Sequence, residues 1–299
     1  MRLCIALIVV LPAAVLSSPF DQAQKPITPE TISGQECTSP SEHQQEPSGP
    51  DISIAEVSFW GSPVISTSEQ TEISRSIKQR IHGTVLTDVI DESSELVRWG
   101  WQDRGYFNVE VEVEETILPS GPGSQRLALH VQVVAGPQYR LGRMTFRNNR
   151  AVTNENTLRA LFPIKDGDIF SRAKIAKGLE TLRKAYGSTG YINFTSFPKA
   201  EFDDANNLIT LNLDFDEGKQ FRVTSITVLG LDETAKGKFL RGFPIKQGQI
   251  YNQNIWEKAF VKYQPNLPYC PCRLDTARHI DEKSGSADLA FDFRPCNTD

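Results

Sequence analysis

The sequence predicts an α+β protein, a tandem array of three β-α-α-β-β modules, each with two helices packed on a three-stranded mixed sheet. Three observations carry this. Phe162-Pro163-Ile164-Lys165, with Gly167 and Phe170, returns about eighty residues later as Phe243-Pro244-Ile245-Lys246, with Gly248 and Tyr251. Upstream of each, Gly136-x-x-Tyr139-Arg140 opening Met144-Thr145-Phe146 returns as Gly218-x-x-Phe221-Arg222 opening Ile226-Thr227-Val228. Within each copy the apolar spacing switches between a period of two and a period of three to four, which marks strands and helices in turn. A helix pair on one face of a small sheet is the economical way to bury both kinds of stripe.

The chain starts with Met1-Arg2 and an apolar run from Leu3 to Leu16 broken by Pro12, with small residues around Ser17. This reads as a secretory signal peptide over 1–17, the run being shorter than the roughly 20 residues a spanning helix needs. Residues 18–51 change to Gln, Pro, Ser, Thr and Glu, too polar to offset ordering entropy, and read as a disordered tether. As a coil of about 30 residues it would span roughly 30 Å.

Unit 1 is expected over 52–137. Ile54 to Trp60 is its opening strand, and Ser66-x-x-Glu69 is a capping box ahead of Ile73, Ile77 and Ile81. Val89, Ile90, Val97 and Trp101 give a second helix its apolar face, and Gly105-Tyr106-Phe107 leads into strands carrying Val109, Val111 and Val113, then Leu127, Leu129, Val131 and Val133. Unit 2 is expected over 138–219: a strand from Tyr139 to Phe146, a short helix capped near Thr153-Asn154-Glu155 and stopped by Pro163, and a longer helix capped by Ser171 with Ile175, Leu179, Leu182 and Tyr186 on one face. Gly187 and Gly190 end that helix. Tyr191 to Phe197 and Leu208 to Phe215 read as strands joined by a turn at Asp203 to Asn207. Unit 3 is expected over 220–296, with Phe239, Leu240, Trp256 and Phe260 on its helices and Leu289, Phe291 and Phe293 alternating in its last strand. Modules of this size are marginal alone, so neighbours should pack end to end near Gly136 and Gly218.

The 299 residues are 39% hydrophobic and 23% charged, an ordinary globular balance. A net charge of −5 without a basic stripe argues against a nucleic-acid partner. No Gly-x-Ser-x-Gly, phosphate loop or dinucleotide fingerprint occurs, so no enzyme activity, catalytic residue or cofactor is expected. Asp203-Asp204 and the row Glu110, Glu112, Glu114 and Glu115 fit turn and solvent-face positions, and the Glu row also discourages edge pairing. His43, His82 and His130 fit solvated sites.

The order of elements, the Gly-Tyr pair before the second strand and the Gly-x-x-Tyr/Phe-Arg junction together resemble the POTRA domains, found in the periplasmic part of the Omp85 family of outer-membrane assembly proteins. The resemblance spans about residues 52 to 296. It weakens where Asn266-Leu267-Pro268-Tyr269 stands in place of Gly-Tyr in unit 3. Omp85 proteins usually continue into a β-barrel with strands of roughly 9 to 11 residues. Only Asn297-Thr298-Asp299 follows unit 3, so the array is expected to lack a barrel.

The resemblance implies a non-enzymatic, periplasmic interaction module in outer-membrane protein assembly or polypeptide transport, associated with the outer membrane through its partners. Those partners would be unfolded outer-membrane protein segments or a barrel-bearing envelope assembly protein. The other reading is a structural spacer or tether in another envelope complex, such as division or secretion machinery. A sheet edge can accept an extended peptide by β-augmentation. The expected edge is the middle strand of unit 2, at Tyr191, Ile192, Asn193, Phe194 and Thr195.

Export makes cysteines disulfide candidates. If the third hairpin keeps the register of the second, Ile280 faces Ser286, and Cys270 lies opposite Cys296 with Cys272 diagonal to it. A bridge from Cys296 to Cys270 or Cys272 is expected. Cys37 is remote from them. A metal site at Cys270, Cys272 and His279 is disfavoured because a fourth ligand is missing.

Overall fold

A computed structural model describes residues 50–263 and 276–295. Three sheets succeed one another along the chain. The first unit runs β1 (Asp51–Ser62), α1 (Thr67–Arg80), β2 (His82–Gly83), α2 (Leu86–Gln102), β3 (Glu110–Leu118) and β4 (Ser124–Val134). The second runs β5 (Arg140–Arg147), α3 (Glu155–Arg159), α4 (Arg172–Ser188), β6 (Thr195–Asp203) and β7 (Leu208–Asp216), and the third β8 (Arg222–Leu229), α5 (Glu233–Gly242), α6 (Gln253–Tyr263), β9 (Thr276–Asp281) and β10 (Ser286–Asp292). In each, the last strand is central. It pairs parallel with the first strand and antiparallel with the middle one. The parallel pairing follows from the helices, which carry the chain back before the hairpin closes.

The first sheet has four strands, ordered β2-β1-β4-β3, where three were expected. The extra strand is two residues long, and it arises because the segment joining α1 to α2 lies against Ile52 and Ser53. His82, expected at a helix end, is in this strand.

Each unit closes around its own core. In the first, Ile73 and Ile77 of α1 and Val89, Val97 and Trp101 of α2 cover Leu127, Leu129, Val131 and Val133 of β4. In the second, Tyr186 stacks on Phe194 at 4.0 Å and Phe215 packs edge-on against both. In the third, Phe239, Phe243, Trp256 and Tyr263 gather on Phe291. The aromatic payload compensates for small cores, since each ring buries roughly 150–250 Å².

The repeated Phe-Pro-Ile-Lys stretches do one job twice. Phe162 and Phe243 are buried, as are Ile164 and Ile245, so each stretch is pinned at alternate residues. In the second unit the ring of Phe162 lies where a Cβ on Gly178 of α4 would fall. The backbone N–H of Lys165 then donates to Asp168 Oδ2, and that of Lys246 to Gln249 Oε1. Gly167 and Gly248 turn the chain at φ +87° and +83°, which glycine alone adopts freely. The chain is thereby hooked onto the first strand: Leu141 N–H donates to Asp168 O and Phe170 N–H to Tyr139 O, matched by Val223 to Gln249 O and Tyr251 to Phe221 O.

The third hairpin places Ile280 opposite Ala287, one residue away from the expected Ser286. Its turn has the same length as that of the second hairpin, so Asp281 pairs with Ser286 as Asp203 pairs with Leu208. The expected facing of Cys270 and Cys296 was built on the displaced register. All the cysteines lie outside the described residues.

Ser66 closes the anticipated capping box: Glu69 N–H donates to its hydroxyl at 3.3 Å and its own N–H donates to Glu69 Oε2 at 2.8 Å. Ser66→Ala should cost about 1 kcal/mol, read from urea unfolding.

Tyr251 is fully buried in the position that Phe170 holds in the second unit, and its hydroxyl accepts from Arg278 at 3.1 Å. Burial pushes its pKa up to about 12, against a smaller opposing pull from Arg278. Burial and the neighbouring Glu217 carboxylate also push Tyr186 up. An unfolded tyrosine titrates near pH ~10. The stabilisation from these neutral phenols is therefore complete below that pH and is lost as pH rises through the folded values. Stability should fall steeply between about pH 10 and 12, and Tyr251→Phe should reduce that slope in unfolding curves collected across the range.

Candidate functional site

A protein-binding role needs an unpaired strand edge, and the second sheet offers two, β5 and β6, on either side of β7. The hook described above occupies the first half of β5, with Arg140 bridged to Ile169. Among the described residues β6 pairs only with β7.

Pro198 fixes which groups of β6 face outward. A proline in a sheet is tolerated where its missing N–H would point away from the neighbouring strand. Residues of the same parity share that direction, so the free backbone groups are those of Ser196, Pro198, Ala200 and Phe202. Thr195, Phe197, Lys199 and Glu201 spend theirs on β7 and turn their side chains to the open face of the sheet. Phe197 is 58% exposed there.

The structure moves the expected edge. Of Tyr191, Ile192, Asn193, Phe194 and Thr195, only Thr195 belongs to a strand. Tyr191 and Phe194 turn back onto α4: Tyr191 N–H donates to Tyr186 O, and Phe194 N–H to Tyr191 O. Ile192 packs on the third core, and Asn193 Nδ2 donates to Glu282 at 2.9 Å. The β-propensity of this stretch yields to burial of its rings.

That stretch is instead half of a joint, and the joint occurs twice. Gly105-Tyr106-Phe107-Asn108 and Gly190-Tyr191-Ile192-Asn193 follow the second helix of units 1 and 2. The glycines, at φ +86° and +89°, offer their carbonyls to the N–H groups of Tyr139 and Phe221, the residues that open the next unit. The tyrosine packs into its own unit, whereas the next residue packs into the following one: Phe107 belongs with the second core and Ile192 with the third. The asparagine reaches the next hairpin. In the second joint it bonds Glu282 directly. In the first, Asn108 Nδ2 donates to the Tyr139 hydroxyl, which itself donates to Asp204 Oδ1 at 2.6 Å. Asp103 adds a clamp by accepting from Ser171 Oγ and from Ala173 N–H, at the start of α4.

Elsewhere the acidic residues sit as expected. Glu110, Glu112, Glu114 and Glu115 are exposed along β3, an edge strand, and His130 is exposed beside Ser58. Asp203 receives the Asn206 side chain and backbone in the hairpin turn, and these hydrogen bonds lower its pKa. His279 is buried on β9 with its Nδ1 unpartnered, and the cysteines that would join it in a metal site lie outside the described residues. Among the described residues no group of three or more His, Cys, Asp or Glu could hold a metal ion, and no helix is long and apolar enough to cross a membrane.

A Cβ on Gly190 would stand 2.8 Å from Ile250 Cγ2 and 3.0 Å from Phe221 O; one on Gly105 would stand 2.7 Å from Tyr139 O. Gly190→Ala and Gly105→Ala should each destabilise the adjoining unit by roughly 1–3 kcal/mol and broaden the distance distribution in small-angle scattering. Gly121→Ala, with open space around it, should leave both unchanged.

Residues 139–218 match the POTRA family, described as the surface antigen variable number repeat. The chain is 23% identical over 210 residues to a candidate outer membrane protein assembly factor of Treponema pallidum (strain Nichols), a match covering 69% of this chain and 25% of that protein. It thus spans about a quarter of the length of this curated relative. Among solved structures it resembles Haemophilus influenzae BamA POTRA3–5, with a TM-score of 0.54 and 15% identity over 83% of this chain and 98% of the other. That likeness extends the POTRA fold from the second unit to its neighbours.

Proposed function

We propose that this array of POTRA-type units is a non-enzymatic periplasmic module that binds extended polypeptide segments during outer-membrane protein assembly or polypeptide transport. Its partners are unfolded outer-membrane protein segments or a barrel-bearing assembly protein, through which it associates with the outer membrane. The observation that carries the reading is the asymmetry of the second sheet: the hook occupies β5, while β6 presents outward backbone groups next to the first joint. Main-chain pairing selects for extended conformation more than for sequence, which suits unfolded clients. The assembly role of the Treponema relative supports the same assignment.

The second reading, a structural spacer in another envelope complex, is favoured by the joints, which tie each unit to the next through backbone and side-chain hydrogen bonds. Binding to β6 separates the two. Ala200→Pro removes an outward N–H and leaves the ladder to β7 intact, so the circular dichroism spectrum should not change. Its affinity for a urea-unfolded outer-membrane barrel protein, diluted into buffer with the array, should fall about tenfold, the scale of one charge-free hydrogen bond lost with its local packing. Saturable binding that Ala200→Pro leaves unchanged would favour the spacer.

In an oxidising compartment we also expect Cys296 to bridge to Cys270 or Cys272. Peptide mapping without reductant should recover Cys296 linked to the peptide that carries this pair, and stoichiometric zinc in the purified protein would contradict the bridge.

A further inference from the structure

We propose that the array folds in chain order, with the first unit as a self-sufficient template and each later unit completed by a side chain that the folded unit before it presents. Nothing in this order depends on which surface binds a partner.

The cores divide unevenly. Among the described residues, the first core and the side chains packed against it all come from residues 52 to 135. The second core also takes in Phe107 of the first unit, and the third takes in Ile192 of the second. In these clusters no apolar side chain of a later unit enters an earlier core. Phe107 is central to what it joins. Its ring packs edge-on against Tyr139 at 6.2 Å, Phe170 at 5.2 Å and Phe202 at 5.6 Å, so without it three rings of the second unit each lose an aromatic partner.

The presenting turn is built inside the earlier unit. Arg104 N–H and Tyr106 N–H both donate to Trp101 O, and Trp101 is fully buried in the first core. Tyr191 N–H donates likewise to Tyr186 O, and Tyr186 is fully buried in the second. Phe107 is thus in position once α2 has packed, and Ile192 once α4 has packed.

The first unit also starts the next helix. Asp103 accepts from Ser171 Oγ at 2.8 Å and from Ala173 N–H at 2.7 Å, and a preformed acceptor at the head of α4 offsets part of the cost of its first turn. α6 is capped from within its own unit, where Ile255 N–H donates to Asn252 Oδ1 at 3.0 Å.

The first unit serves its own opening strand. Asp51 N–H donates to Gly123 O, and β2 lies along Ile52 and Ser53. Tyr139 and Phe221, which open the later units, give their N–H groups to the preceding unit instead. The coupling free energy across a joint is the same in both directions. What differs is the remainder: the first unit by itself retains its core, whereas the second by itself loses a core ring and a helix cap. Synthesis runs the same way, so each presenting turn leaves the ribosome before the unit that receives it.

The test is refolding of the full chain by dilution from urea, after an unfolding step too brief for prolines to isomerise, with pulsed amide exchange read on β4, β7 and β10. Protection should appear in that order. Phe107→Ala should slow β7 and β10 by roughly fivefold or more and leave β4 unchanged, and Ile192→Ala should slow β10 alone. Val131→Ala, in the buried heart of the first core, should delay β7 along with β4. Should Phe107→Ala prevent the second unit from folding at all, exchange at equilibrium should still find β4 protected. The proposal is overturned by β7 gaining protection before or together with β4, by a β7 rate indifferent to Phe107→Ala or to Val131→Ala, or by loss of β4 protection along with β7 in Phe107→Ala.

Discussion

Two backbone hydrogen bonds make an array out of what would otherwise be three small modules on a string: Gly105 O to Tyr139 N–H and Gly190 O to Phe221 N–H. Each ties the turn after one unit's second helix to the residue that opens the next unit's sheet. The carbonyl can be presented only from a positive φ, which costs a side-chain-bearing residue energy and glycine almost none. With the carbonyl fixed, the residue two positions on is delivered into a neighbouring core, Phe107 into the second and Ile192 into the third. A unit of this size gains proportionally more from such sharing than a large domain would, because its own buried fraction is low.

The two joints differ chemically while keeping one geometry. Phe221 stands where Tyr139 stands, and without a hydroxyl to relay through, Asn193 bonds Glu282 itself. Asn108 instead works through the Tyr139 hydroxyl to Asp204. The first joint also carries the Asp103 clamp on α4 and a ring cluster around Phe107. It is the more elaborate of the two.

Open sheet edges are hazards that proteins manage individually, and this chain uses several devices. The Phe-Pro-Ile-Lys hook occupies the start of β5 and β8, and β2 does the equivalent for β1. The acidic row on β3 discourages pairing by charge. β6 carries Pro198, which interrupts the outward ladder at one point and leaves Ala200 and Phe202 beyond it, together with the exposed charges of Lys199 and Glu201.

The order of elements, the alternation of β4 and β7, the Ser66 box and the Ser171 cap were all legible in the chain, because each depends on residues within a few positions of one another. The repeat itself was legible for the same reason. The Tyr191 to Thr195 stretch misled because Tyr, Ile, Phe and Thr favour strands in isolation, whereas here the rings are needed against Tyr186 and the third core. Ile280 faces Ala287 and not the expected Ser286, because the turn from Glu282 to Gly285 sets the register of the third hairpin directly.

The sequence by itself determined the units: their number and the order of their principal helices and strands. Local pattern suffices for that, since periodicity and capping act over one or two turns. Only the tertiary structure decided that Gly-Tyr-Φ-Asn is a joint spanning two cores, that the repeated Phe-Pro-Ile-Lys closes a strand edge, and that β6 pairs with β7 alone among the described residues. Those outcomes depend on contacts between residues some 30 to 90 positions apart, whose partners are chosen by packing and by which backbone groups remain unpaired once every sheet has formed.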